Sequence, residues 1–348
     1  MAYTTIDKPQ DYFNTLLYSG DGSSSSARTG VGFQPDWMWF KRRDGSGTHA
    51  VFDIVRGTNG TVYRRLLPQS TNAEDTASGT VLAIGSDGFT LGNDSNINQS
   101  GETYVSWNWL GSNTTASNSD GSITSTVSAN TTAGFSIVGY TGTGSNATVG
   151  HGLNSAPEMV IIKQRTESIQ SWCTFHAAIG AGKFIDLNRS DAVNNNGSTR
   201  YTSVPSSTVL NLGSSDAVNK SGKDYVGYVF NSVKGYSKMT QYTGNGSSDG
   251  PFVYTGFKPA WVIHKGMNNS NGWHVHDNKR DPINPCNTPL FPQASIGEGS
   301  DTLCDFLSNG LKIRSTLGSR NGNGSTYLIM AFAENPFVSS SGVPGTAR

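Results

Sequence analysis

The sequence predicts an all-β protein built from three related modules of about a hundred residues each. Three observations support this prediction: the composition, a set of landmarks that recurs three times, and an alternation of apolar and polar residues. Only 14% of the residues are charged, and 42 Gly separate short runs that hold 15 Phe, 13 Tyr and 7 Trp. Disordered chains are poor in aromatic and β-branched residues, whereas β-sandwich cores are rich in them. The chain is therefore expected to fold.

Three sequence landmarks recur in the same order along the chain. They are a Tyr-[Ser/Thr]-Gly-x-Gly motif at 18–22, 140–144 and 242–246, a Pro-led apolar run ending in Lys at 35–41, 157–163 and 259–265, and a Gly-x-x-Tyr strand at 101–109, 222–230 and 324–332. The first tyrosines of the motif are 122 and 102 residues apart (140−18 and 242−140), and the prolines and lysines repeat both differences. This agreement indicates an internal repeat.

Each landmark predicts a structural element. The Gly-rich motifs are typical of hairpins or short loops, and the Pro-led runs predict central strands that begin at Pro. The closing segments alternate with period two, as in Val105, Trp107 and Trp109, and predict half-buried antiparallel strands. With the runs between them, each module has six to eight strands, which favours a β-sandwich, either jelly-roll or concanavalin-like. Only 7–17, with Pro9 in its first turn, predicts a short helix.

The spacing of the landmarks sets the predicted domain boundaries. An N-terminal arm (1–11) precedes the first β-sandwich repeat (12–111), and a Ser/Thr/Asn-rich stretch (112–133) predicts a linker. The second repeat (134–235) and the third (236–337) follow with almost no linker, and a C-terminal tail (338–348) ends the chain.

Charge and cysteine content argue against several function classes. The 25 basic and 25 acidic residues balance, so the electrostatic footprint of a nucleic-acid binder is not expected. Cys173, Cys286 and Cys304 match neither a disulfide framework nor a metal-ligand spacing, although a Cys286–Cys304 bridge remains conceivable. The start of the chain lacks an apolar signal region, and no run is long enough to cross a membrane, so neither secretion nor membrane insertion is expected.

The densest polar cluster provides the candidate binding residues Trp273, His274, His276 and Asp277. Two imidazoles on one strand face beside a carboxylate can bind a transition metal. The equivalent stretches, 48–53 and 171–176, do not keep the histidine pair, so a polar strand face is favoured and no metal is assigned. Calcium is the one cofactor considered, at the Asn/Asp loop 92–96, for which an ordinary turn is the alternative.

Catalytic motifs are not found in the sequence. It contains neither a Gly-x-Ser-x-Gly elbow nor a His-Glu-x-x-His pair, and the Gly-x-Gly sites at 142–144 and 244–246 lack the third glycine of a phosphate loop. The chain is therefore predicted not to be an enzyme.

Two passages carry a resemblance to a known family. Residues 127–142, with Tyr140-Thr141-Gly142 at their end, and residues 250–262 resemble a domain repeated in structural proteins of tailed bacteriophages, especially marine phages and cyanophages. The resemblance implies sandwiches in tail fibres, head fibres or other virion appendages. The start of the chain also resembles the N-terminal segment of such proteins, which suggests a virion-docking arm; a simple lead-in to the first strand is the alternative. The candidate docking residues are Tyr3, Ile6, Tyr12 and Phe13.

The resemblance leads to a functional expectation. The chain is expected to be a virion structural protein, assembled in the cytoplasm of the host bacterium and displayed as a fibre or appendage. Its expected partners are other virion proteins and a host-surface glycan or receptor, bound weakly. A homo-oligomer, specifically a trimer, is expected by analogy with phage fibres. The alternatives are a capsid-decorating or cement protein and, more remotely, a tailspike-type glycan depolymerase, which needs two carboxylates in a groove.

Overall fold

The computed structural model describes residues 3–345, and nearly all of its regular structure is β-strand. Residues 1–2 of the predicted N-terminal arm and 346–348 of the predicted tail lie outside the described residues. Below, 12–111, 134–235 and 236–337 are called the first, second and third repeats. Within the described chain, no helix is long and apolar enough to cross a membrane.

The first repeat follows a single turn of 3-10 helix, η1 (Pro9–Asp11). Its strands are β1 (Phe13–Ser19), β2 (Ser26–Thr29), β3 (Trp37–Arg42), β4 (Ala50–Asp53), β5 (Val81–Gly85), β6 (Gly88–Leu91) and β7 (Thr103–Trp109), with the one-turn helix α1 (Ser95–Asn98) before β7. They form a large sheet in the order β1-β7-β3-β4 and a small sheet in the order β2-β6-β5.

The next strands along the chain build a seven-stranded sheet and a two-stranded one. They are β8 (Ala116–Asn118), β9 (Ser125–Asn130), β10 (Phe135–Thr141), β11 (Ala147–Gly150), β12 (Met159–Gln164), β13 (Cys173–His176), β14 (Ile185–Asp186), β15 (Val209–Leu212) and β16 (Asp224–Phe230), with the helices η2 (Ala177–Ile179) and α2 (Asp216–Asn219). The sheet orders are β14-β13-β12-β16-β10-β9-β8 and β11-β15.

The third repeat again has a large and a small sheet. Its elements are β17 (Ser237–Thr243), β18 (Phe252–Tyr254), β19 (Phe257–Gly266), β20 (His274–Asp277), β21 (Cys304–Leu307), β22 (Gly310–Ile313), α3 (Gly318–Asn321) and β23 (Thr326–Pro336). The orders are β17-β23-β19-β20 and β18-β22-β21. The four-strand order of the first large sheet thus recurs as β10-β16-β12-β13 and as β17-β23-β19-β20, and all of these neighbours pair antiparallel.

Each Pro-led strand is internal to its sheet, as predicted, but the closing strands were predicted wrongly to be half-buried. In β7 every residue from Tyr104 to Trp109 is buried, including the small polar residues Ser106 and Asn108. The alternation shows which side chains share a face, but it does not show that a second layer covers the face with the small residues. Both faces of the large sheet are covered.

The segment predicted to be a linker, 112–133, contains β8 and β9, and β9 pairs with β10 along five residues. Ile123 and Val127 are buried there, because the Ser/Thr-rich sequence still places apolar residues where they can reach the core. The helix predicted over 7–17 is also wrong: it is reduced to η1, and a strand starts at Phe13. Pairing with β7 outweighs the local preference for a helix.

One apolar cluster contains side chains from all three repeats. Trp37 stacks on Tyr228 at 4.5 Å between ring centroids, Phe230 contacts Phe332 at 6.1 Å, and Trp109 contacts Trp261 at 5.6 Å. Each repeat therefore contacts both others through aromatic rings. Three further clusters each lie between the large and small sheets of one repeat, and that of the second repeat also contains Ile123 and Val127 from 112–133. The sequence analysis did not predict the shared core.

Candidate functional site

The predicted binding residues Trp273, His274, His276 and Asp277 are all buried, with at most 5% of any of them exposed. His274, His276 and Asp277 belong to β20, whose four residues are all buried. The cluster is therefore not a polar surface face, and none of these side chains can meet a large ligand in this structure.

Trp273 and Asp277 join the third repeat to its neighbours. The indole Nε1 of Trp273 donates to the backbone oxygen of Asp186 in the second repeat at 3.0 Å. The Asp277 carboxylate accepts from Nε1 of Trp107 in the first repeat at 3.0 Å and forms a fully buried ion pair with Arg280 at 2.6 Å. Buried polar groups require such partners, so both residues are structural.

The residue at the position of Asp277 makes an equivalent contact in each repeat. Asp53 pairs with Arg56 and accepts from the Tyr228 hydroxyl at 2.7 Å, which links the first repeat to the second. His176 donates from Nε2 to the backbone oxygen of Ile329 at 3.2 Å, which links the second to the third. With Asp277 these contacts run from each repeat to the next and close a ring. The Asp-x-x-Arg spacing shared by 53–56 and 277–280 was the sequence signal for this role.

Three histidines, His264, His274 and His276, stack on one another inside the third repeat. The His264 ring lies 4.9 Å from the ring of His274 and 5.9 Å from that of His276, with interplanar angles of 8° and 19°. Burial lowers the pKa of His274 to about 3 and the pKa values of the other two well below their usual range, so all three are neutral at pH 7. Across residues 3–345, no group of three or more His, Cys, Asp or Glu side chains is arranged to hold a metal ion.

The candidate docking residues at the N-terminus pack against the body of the protein. Ile6 and Phe13 are 2% and 1% exposed and belong to the shared core. Tyr12 packs edge-on against Tyr236, and the Tyr3 hydroxyl donates to the backbone oxygen of Gly256 at 2.9 Å. Ile6 and Phe13 therefore cannot present an apolar surface to another virion protein while the core is intact, and the docking interpretation is wrong for these two.

The loop considered for calcium, 92–96, uses its oxygens internally. The Asp94 carboxylate caps α1 by accepting from the Asn96 backbone N–H at 2.9 Å and also pairs with Arg65 at 3.3 Å. The backbone oxygen of Gly92 accepts from Asn98 Nδ2 at 2.8 Å. These contacts are those of a helix-capping turn.

Two aromatic side chains project from the outer face of the third small sheet. Phe252 and Tyr254 are 45% and 54% exposed, whereas Val253 between them is buried. They lie on β18, an edge strand, so the two rings share one face. Exposed aromatic pairs of this kind are uncommon on a surface without a binding role, because large apolar groups exposed together lose favourable burial.

The surroundings of the aromatic pair are polar but electrically balanced. Gly310 lies opposite Tyr254, and the Phe252 ring packs over this glycine, since a Cβ at 310 would lie 2.9 Å from Phe252 Cζ. Lys312 lies opposite Phe252. Lys312 is paired with Asp249 at 2.7 Å, and Arg314 with Asp305 at 2.6 Å. We call Phe252, Tyr254, Gly310 and Lys312 the aromatic platform.

The aromatic platform occurs in one repeat only. Aligned through the buried residues Leu91, Leu212 and Ile313, the positions of Phe252 and Tyr254 correspond to Ala27 and Thr29 on β2 and to Thr148 and Gly150 on β11. Sequence reasoning missed it because the period of two shows that 252 and 254 share a face but does not show which face is exposed.

A family model described as a domain of unknown function (DUF7483) matches residues 8–336. The chain belongs to the DUF7483 family. The match spans all three repeats as one unit, in keeping with the core that they share. No curated protein matches the chain.

The DUF7483 chain also has a polar pocket of about 320 Å³ in its second repeat, and two carboxylates line it. Asp186 pairs with Arg200 at 2.8 Å, and Asp191 pairs with Arg189. Burial raises the pKa of Asp186, an effect that the Arg200 guanidinium opposes. Both carboxylates are held by arginines, which is a poor arrangement for the general acid and nucleophile of a glycosidase.

Proposed function

We propose that this chain is a structural protein of a bacteriophage virion, displayed as a fibre or appendage that contacts the host surface through weak glycan binding. The proposal rests on the resemblance of 127–142 and 250–262 to repeated phage domains. The structural observation that carries it is the aromatic platform, with Phe252 and Tyr254 about half exposed on an outer sheet face.

The chemistry of the platform suits a neutral sugar. The apolar face of a pyranose ring stacks on an aromatic side chain. The Tyr254 hydroxyl donates its proton to the Tyr3 hydroxyl at 3.0 Å and can still accept a hydrogen bond from a sugar hydroxyl. The nearby charges of Lys312 and Arg314 are already neutralised by carboxylates, so the site offers little excess charge to a charged polymer. A neutral hexose in a surface polysaccharide fits these features.

The proposal includes the finer architecture. We interpret the chain as three tandem β-sandwich modules of about a hundred residues that associate around one core. The recurring strand order and the separate apolar cluster inside each repeat support this interpretation.

A glycan array with the purified protein tests host recognition. The double variant Phe252→Ala and Tyr254→Thr introduces the residues of the first repeat and is expected to lose at least tenfold in glycan affinity, since each ring contributes stacking energy. The matched control is Ile169→Ala with Ile283→Ala, which removes apolar groups that are 66% and 78% exposed elsewhere. Equal glycan binding by both variants would contradict the proposal.

A second candidate function is capsid decoration, because an aromatic pair confined to one repeat is also the pattern of a docking patch. Immunogold labelling of intact virions separates the two. Gold at the tail or fibre tips supports host contact, whereas gold over the head, with loss of particle association in the Phe252/Tyr254 double variant, supports decoration. Incubation with host polysaccharide tests the depolymerase alternative, for which product formation would be the evidence.

A further inference from the structure

The space between the two sheets of the third repeat contains a polar cluster formed by His264, His274, His276 and Arg320. The first three come from β19 and β20, where His264 lies directly opposite His274, and Arg320 comes from α3. All four are at most 5% exposed. We call these four residues the histidine–arginine cluster.

The corresponding positions of the other repeats are apolar. They are Phe40 and Ile162 for His264, Ala50 and Cys173 for His274, Phe52 and Phe175 for His276, and Ile97 and Val218 for Arg320. The fold therefore does not require polar residues here, and the third repeat departs from the pattern at four contacting positions. A change of this kind within a buried core costs stability unless a partner compensates it.

Six nitrogen atoms of the cluster have no hydrogen-bond partner among residues 3–345. They are Nδ1 and Nε2 of His264 and of His276, Nδ1 of His274, and Nε of Arg320. The rings cannot satisfy one another, because stacked imidazoles direct their nitrogens along parallel planes. A buried polar atom that stays unpaired destabilises the folded state. The concentration of these atoms in one place points to a bound species.

The charges around the cluster indicate whether the bound species is a cation or an anion. The Arg320 guanidinium has one carboxylate partner, Asp301 at 3.3 Å, and that carboxylate is half exposed. The neighbouring Lys265 is buried, and its ammonium group donates to the backbone oxygens of Gly266 and Asn269 at 2.8 and 3.2 Å. The potential at the cluster is therefore positive. A metal cation is disfavoured by this positive charge.

We propose that the histidine–arginine cluster binds a small monovalent anion of the halide class. Each neutral histidine offers one ring N–H, and Arg320 offers Nε–H, so His264, His276 and Arg320 supply three donors without any change of protonation. The anion offsets the charge of Arg320, which Asp301 balances only from the solvent edge. Because all four side chains are at most 5% exposed, the cluster is closed to a bulky organic anion. The proposal is independent of glycan binding at the aromatic platform.

Bromide is the direct probe, because its anomalous scattering locates it in crystals of the unmodified protein. Crystals soaked in sodium bromide are expected to show a peak within hydrogen-bonding distance of Arg320 Nε and of the His264 and His276 rings. A map at saturating bromide without a peak in the cluster would overturn the proposal.

A solution experiment uses the residues of the first repeat as the control. The variant His264→Phe, His274→Ala, His276→Phe and Arg320→Ile restores an apolar core. In a series that replaces sodium gluconate by sodium chloride at constant sodium, the Tm of the unmodified protein is expected to rise with chloride, because the ligand binds the folded state. The Tm of the variant should not rise with chloride. If the variant does not fold, Arg320→Met alone provides the comparison. Equal chloride responses would refute the site.

Discussion

Acid should unfold this protein well above the pH at which its carboxylates titrate, because all six of its histidines are buried. Desolvation lowers the pKa of every one of them: to about 4 for His176, to about 3 for His274, and below the usual range for His49, His151, His264 and His276. The perturbation is therefore a simple decrease in pH from 7.5 to 5.

The size of the effect follows from proton linkage. The folded-state pKa values lie below the unfolded value of about 6.5, so below pH 6.5 the unfolded chain binds more protons than the native one. Stability is present above pH 6.5 and is lost as pH falls. Six protons give a slope approaching about 8 kcal/mol per pH unit near pH 5. The loss between pH 6.5 and 5 is at most roughly 10 kcal/mol, because each unfolded histidine is only half protonated at pH 6.5. Because domains are stable by only about 5–15 kcal/mol, unfolding is expected near pH 5.

Urea unfolding followed by tryptophan fluorescence at pH 7.5, 6.5, 6.0 and 5.5 measures this slope. The variant His276→Phe, which carries the residue of the other two repeats, removes one titrating group and should lower the limiting slope by about 1.4 kcal/mol per pH unit. Asp36 and Asp186, whose pKa values burial raises, oppose the trend only weakly. A free energy of unfolding that stays level from pH 7.5 to 5.5 would refute the reasoning.

Two further predictions concern buried charges. Asp277→Asn leaves the Arg280 guanidinium without its main counter-ion and should lower the free energy of unfolding in urea by about 3–5 kcal/mol. The control Asp11→Asn, in the exposed Lys8–Asp11 pair, should lower it by under about 1 kcal/mol. Similar losses for both variants would contradict the structural role of Asp277. The repeated lysines at 41, 163 and 265 have pKa values lowered by burial to about 8, so the native state binds fewer protons than the unfolded chain above pH 8. The free energy of unfolding should therefore rise by roughly 2 kcal/mol from pH 8 to 9. Buried thiols begin to oppose the gain in this range. A urea midpoint that does not change between these pH values would exclude the prediction.

The strands could be predicted from the sequence, but the shared core could not. The spacing of the landmarks identifies equivalent strands such as β7, β16 and β23, because a period of two reports side-chain direction directly. Trp39 and Phe40 both read as core residues of a central strand, yet Phe40 faces the small sheet of its own repeat and Trp39 faces the neighbouring repeats. Apolar character does not specify which surface will cover a side chain.

The predicted exposure of the candidate binding residues was wrong for a related reason. His274, His276 and Asp277 are polar, so the sequence suggests solvent exposure, and burial becomes evident only when their environment is known. Asp277 is tolerated inside because Arg280, three residues later, neutralises it. The aromatic platform shows the converse, since Phe252 and Tyr254 would ordinarily be assigned to a core. At ligand sites, polar residues can be buried and apolar residues exposed. A single sequence does not show which residues are buried.

The aromatic platform and the histidine–arginine cluster both lie in the third repeat, on its small sheet and between its two sheets. The side chains that meet at the centre are constrained in every repeat, because each must fit two neighbours: Trp109, Phe230 and Phe332 occupy equivalent positions and are all large aromatic groups. The space between a large sheet and its small sheet has no such constraint and can change within one repeat alone. A chain with three similar repeats can therefore keep two as scaffold and modify one. On the proposed function, giving the third repeat the residues of the first at the aromatic platform should lower glycan affinity at least tenfold. The aromatic core, and hence the near-ultraviolet circular dichroism that it produces, should stay essentially unchanged.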